Sequence, residues 1–154
     1  MGEDGTARYE QHIGTTVALD GDRTCIGRAR HLAADFLIRV QAEHGLPVSR
    51  RARELTQLVV SELVTNACKY VPGPVLMDLR IVGATVEAAV WDSDPVLPVA
   101  RAADTGRVGL YGLEIVMAVC RSFQAHRKPV GKRITATVVL ADDFGGAVAG
   151  RRTV

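Results

Sequence analysis

Glu62 and Asn66 stand four residues apart in the run LVVSELVTNACKY, a spacing that brings a carboxylate and a carboxamide onto one face of a helix. Asn offers a neutral oxygen to a hard cation such as magnesium, and a neighbouring Glu can orient and deprotonate a nucleophilic water or hydroxyl. An E-x-x-x-N pair alone is no more than many solvated helix faces carry. Here three further signals follow it in order. Asp92 closes the apolar run ending Val90-Trp91, and a carboxylate at a strand end can accept a hydrogen bond from an exocyclic amine. The segment from Gly106 through Gly109, Leu110, Tyr111, Gly112 and Leu113 is Gly-rich and leads into a helical pattern, where backbone N–H groups can approach an anion. Gly131-Lys132-Arg133-Ile134-Thr135 then enters the last apolar run.

These residues need elements to hold them, and the periodicity supplies a consistent set. Leu55, Val59, Leu63 and Ala67 recur at helical spacing and leave Glu62 and Asn66 on another face, with Lys69 near the helix end. Ser49 is placed to cap this helix, and Val71-Pro72-Gly73-Pro74 must stop it. A preceding helix, from about Arg23 to Glu43, carries Ile26, Ala29, Ala33, Phe36, Leu37 and Val40, with Asp22 as its N-cap. Strands are expected over Ile13–Leu19, Val75–Val82, Thr85–Trp91, Ser122–His126 and Arg133–Leu140, and Gly83-Ala84 reads as a hairpin turn. Leu113, Ile115, Val116, Val119 and Cys120 write a third helix. Between Asp92 and Gly109 lies a loop long enough to act as a lid. The order strand, helix, helix, strand, strand, loop, helix, strand, strand describes an α/β sandwich with helices on one face of the sheet.

Composition narrows the function classes. The 154 residues suit one domain, with 47% apolar and 23% charged residues in globular proportion. A formal net charge of +2, scattered basic residues and 5% aromatics argue against direct nucleic-acid binding. No apolar run reaches the roughly 18 residues of a membrane span, and the polar start MGEDGTARYEQHIG is no signal peptide. The expectation is a cytoplasmic protein with no membrane partner. Cys25, Cys68 and Cys120 lack metal-site spacing and read as buried reduced thiols. Residues 1–12 read as a flexible leader, 13–141 as the folded unit, and 142–154 as a Gly- and Ala-rich tail.

The ordered set of signals resembles the GHKL nucleotide-binding superfamily, which includes gyrase B-type ATPases, ATP-hydrolysing chaperones and histidine kinases. Within it, the small anti-sigma-factor serine kinases are the nearest pattern. SELVTNACKY looks like the family's N-box, VWDSDP like its first glycine box, GRVGLYGLEIV like its second, and GKRITATVVL like its closing strand. The resemblance spans roughly residues 13–140 and implies the Bergerat fold, a two-layer sandwich with a mixed, largely antiparallel sheet. It implies Glu62 as general base and Asn66 as the magnesium ligand. Asp92 would bind the adenine amine, Gly109, Gly112 and Leu113 would surround the phosphates, and Lys69 and Thr135 become further contacts to ATP.

The chain departs from the family's pattern in three places: Asp94 stands where glycine is common, Leu110 where the first glycine of G-x-G-L falls, and Arg133 where a threonine is frequent. A second carboxylate near a polyphosphate weakens binding by repulsion, which solvent and magnesium screen in part. Two readings therefore stand. One is a stand-alone serine/threonine kinase of the anti-sigma-factor type, binding Mg-ATP and a sigma factor or an anti-sigma-factor antagonist, with a homodimer as a further implied state. The other is a non-catalytic module of the same fold that sequesters its partner and binds nucleotide weakly or structurally.

Overall fold

The computed structural model describes residues 13–69, 73–97 and 111–141. They run β1 (Gly14–Leu19), α1 (Thr24–His44), α2 (Arg50–Lys69), β2 (Val75–Val82), β3 (Thr85–Asp92), α3 (Tyr111–Val119), β4 (Ser122–Arg127) and β5 (Lys132–Val139). Local chemistry accounts for the helix ends. Asp22 Oδ1 accepts the Thr24 backbone N–H at 3.0 Å as well as the Thr24 hydroxyl, while Arg23 already has helical φ and ψ of −65° and −25°. The aspartate thus caps the first turn one residue ahead of the regular helix. The Thr24 hydroxyl also holds the Asp22 carboxyl below its ordinary range. At the other end Gly45 turns left-handed, and its N–H reaches Gln41 O at 3.1 Å. Ser49 Oγ accepts the Ala52 N–H at 2.9 Å, as expected of an N-cap three residues ahead.

The sheet has five strands in the order β1-β2-β3-β5-β4, and every neighbouring pair is antiparallel. Its alternation decides which face is buried. Met77, Leu79, Val86, Ala88, Val90, Ile134, Ala136 and Val138 form the inner face, and all are buried. Helix α2 lies centrally on that face, touching α1, α3, β2, β3 and β5. Its buried residues Ala52, Val59, Val60, Leu63, Val64 and Ala67 join the core. The opposite face carries cross-strand polar pairs, Thr16 with Asp78 at 2.7 Å and Arg80 with Glu87 at 2.8 Å. The fold is therefore the expected two-layer α/β sandwich with helices packed on one face, and its sheet is antiparallel throughout the described strands.

Two boundaries differ from the sequence reading by one residue with consequences. Strand β3 extends to Asp92, and β5 begins at Lys132 rather than Arg133, because the two residues pair in register across the sheet. The expected leader and tail, and the part of the expected lid from residue 98 onward, lie outside the described residues. Among the described residues no helix is long and apolar enough to cross a membrane. All three cysteines are free, and Cys25 Sγ sits 3.7 Å from Cys68 Sγ where the start of α1 meets the end of α2.

Candidate functional site

Helix α2 delivers Glu62 and Asn66 to the side facing α3. Asn66 is only 4% exposed, and its Oδ1 is buried without a hydrogen-bond partner among the described residues. A buried carboxamide oxygen left unsatisfied costs about 1–3 kcal/mol, which a bound cation or an ordered water would relieve. One turn earlier, Glu62 is half-buried and reaches the first turn of α3. Gly112 makes that approach possible, because a Cβ there would collide with Glu62 Oε1. The glutamate carboxylate and the N-terminal turn of α3 thus share one small region, with the Asn66 oxygen one turn away on α2.

Gly112→Ala tests this contact. The colliding atom is the end of a flexible side chain, so Glu62 will swing away and stability should hold or rise by up to about 1 kcal/mol from helix propensity. Chemical denaturation should show that, while any activity requiring Glu62 falls. A large loss of stability instead would mean that Gly112 serves packing.

A second cluster closes the end of the sheet. Lys132 Nζ lies 3.0 Å from both carboxylate oxygens of Asp92 and 3.7 Å from Asp94 Oδ2. The side chains of all three are 2% exposed. Asp92 Oδ1 also accepts the Asp94 N–H at 2.8 Å, and Asp94 Oδ1 accepts the Val96 N–H at 3.1 Å, two successive aspartate turns that shape the chain after β3. Gly131, at φ +79°, lets β5 begin against the Asp92 backbone, where a Cβ would strike the Asp92 carbonyl oxygen. Burial pushes the Asp92 carboxyl above its ordinary value, and the Lys132 ammonium offsets only part of that rise.

The end of α2 lies within range of the charge of the second cluster. Cys68, two residues beyond Asn66, has its thiol pushed up to about 12, chiefly by burial and then by Cys25, with the charges of Asp22 and Asp92 contributing. The structure brings Glu62 against Gly112, with Asn66 one turn away on α2, while Asp92 belongs to the cluster at the sheet end. It does not bring Thr135 to either place. Thr135 pairs with Ala89 and Gln124 on the face of the sheet away from α1, α2 and α3, opposite to the face that carries Asp92 and Lys132. Leu113 puts its side chain in the core at 3% exposure, which leaves only its backbone for a ligand. Lys69 is exposed in the last turn of α2, where a cation also favours the helix dipole. Gly109 lies outside the described residues.

Lys132 is the participant that sequence reasoning missed. The sequence held a usable signal, since Ile134, Ala136 and Val138 face the core and period two then sends Lys132 to the same face. Arg133, one residue on, faces the other way and lays its guanidinium 4.6 Å from the Trp91 ring centroid.

Among the described residues no group of three or more His, Cys, Asp and Glu gathers to hold a metal. A hard cation would instead find one protein oxygen ready at Asn66, a donor set suited to magnesium that keeps waters and phosphate oxygens as its other ligands. Comparison with protein-family profiles and with curated proteins gives no match for this chain.

Proposed function

We propose that this chain is a regulatory nucleotide-binding protein of the anti-sigma-factor kinase type, holding a nucleoside triphosphate with magnesium at the α2–α3 face and transferring its terminal phosphoryl group to a hydroxyl of a partner protein. The observation that carries this reading is the buried, unpartnered Asn66 Oδ1 with Glu62 one turn away against the start of α3. Magnesium, when bound, supplies neutralisation of phosphate charge. Asn66 contributes a ligand oxygen, Glu62 takes the proton of the attacking hydroxyl, and the first backbone N–H groups of α3 favour the anion. Sigma factors and their antagonists are the partner class that the sequence resemblance suggests.

A second reading, a non-catalytic module that sequesters a partner, gains support from the Asp92–Lys132 ion pair, because it engages the carboxylate expected to receive the base. Asn66→Ala separates the two. Under the proposed function, magnesium-dependent nucleotide binding falls by at least about tenfold, as for loss of a charge-assisted contact. The nucleotide-induced rise in melting temperature should shrink with it. If calorimetry with the wild-type chain detects no binding at millimolar Mg-ATP, the kinase reading fails and the sequestering module replaces it.

A further inference from the structure

The charged cluster at the sheet end bears on what the site can read. A carboxylate that recognises an adenine base must present an open lone pair to the exocyclic amine. Asp92 has little acceptor capacity left and is nearly closed to solvent in this structure. Its two oxygens accept the Lys132 ammonium at 3.0 Å each, one of them also accepts the Asp94 N–H, and its side chain is 2% exposed. A carboxylate has about four acceptor positions, and three are taken by contacts from within the chain.

Asp94 and Lys132 explain each other. Asp94 adds a second carboxylate beside Asp92, a pairing that would be repulsive in a buried place unless a cation stood nearby. Lys132 is that cation, delivered from β5 by its register pairing with Asp92 and by the close approach that Gly131 permits. The ammonium therefore uses the acceptor capacity that a ligand's amine would need. The phosphate side is arranged differently. Asn66 Oδ1 keeps no partner among the described residues, and Glu62 faces the start of α3.

Building on the proposed function, we infer that Lys132 is a specificity-determining residue: by occupying Asp92 it stops the site from reading the base, so the chain takes nucleoside triphosphates as a class through their magnesium-bound phosphates. A carboxylate free to accept would favour adenine, which offers an amine, over guanine, which turns a carbonyl oxygen toward it. With Lys132 in place that discrimination is lost.

The test is calorimetric titration of the full chain with the magnesium complexes of ATP, GTP and inorganic tripolyphosphate. The wild-type chain should bind ATP and GTP with affinities within about threefold of each other, as expected where no base-edge contact discriminates. The double variant Asp94→Asn/Lys132→Thr removes the ammonium, lowers the negative charge and keeps an acceptor for the Val96 N–H. It should gain an ATP-over-GTP preference of at least about tenfold, with tripolyphosphate affinity little changed. ATP binding seen only in the double variant overturns the inference, because the wild-type chain then takes no nucleoside triphosphate at all. A wild-type preference for ATP of tenfold or more overturns the inference while leaving the proposed function intact, as does a folded double variant that gains no preference. Should neither protein bind any of the three probes, the proposed function fails and the inference with it. Circular dichroism verifies the fold of the double variant, and if it is unfolded the wild-type ratio of ATP to GTP affinity decides alone.

Discussion

Lys132→Met should destabilise the protein by about 3–5 kcal/mol, the usual result of removing one partner from a buried ion pair. That is a large share of a typical domain stability of about 5–15 kcal/mol. The physical reason lies in what stays behind. Met fills much of the space of the Lys stem, but it leaves Asp92 without its 3.0 Å ammonium contacts and beside Asp94, with both carboxylates still buried. Urea unfolding should show a lower midpoint with an unchanged slope. The pH dependence identifies the cause. Burial already holds the Asp92 carboxyl above its ordinary value of 3.8, so the folded chain takes up this proton more readily than the unfolded chain. A group with a raised folded pKa adds stability as pH falls through that pKa toward 3.8, and loses it as pH rises again. Without Lys132 the rise is larger, and the deficit of the variant should narrow as pH falls from neutrality toward 3.8. A deficit that stays constant over that range would mean a packing fault rather than exposed electrostatics.

The fold was readable from the chain because its determinants are local. Alternation in Val75–Val82, the caps Asp22 and Ser49, and the helical spacing of Val59, Leu63 and Ala67 each act within a few residues, and each element appeared where those patterns put it. The pair Glu62 and Asn66 was legible for the same reason. What escaped depends on contacts across the sheet. Lys132 meets Asp92 from forty residues away, and Cys25 meets Cys68 from forty-three, distances over which no periodicity speaks. Thr135 is a different case. Ile134 and Ala136 face the core, so period two already sends Thr135 to the face away from α1, α2 and α3, and the strand pairing places it there. Asp94, in the second of the two aspartate turns after β3, was visible only as a departure from a glycine pattern. Its role as one half of a charge-compensated pair needed the other half in view.

Glu62→Gln should lower the rate of phosphoryl transfer, or of hydrolysis as a fallback readout, on the order of 10² to 10⁴-fold while nucleotide affinity changes little. Glutamine keeps the size and the contact with the start of α3, so the stability and the seating of Gly112 should survive. Only the basicity is lost. The substitution therefore distinguishes a residue that removes a proton from one that merely fills the space between α2 and α3, which Gly112→Ala alone cannot do because it moves the side chain as well. The comparison with Asn66→Ala sharpens it further: that variant should lose magnesium-dependent binding, whereas Glu62→Gln should keep it and lose turnover. An assay needs labelled ATP and a protein carrying an acceptor serine or threonine. If Glu62→Gln transfers or hydrolyses at the wild-type rate, Glu62 is a helix residue that fits against Gly112 and nothing more, and the unpartnered oxygen of Asn66 would point to a ligand held without catalysis.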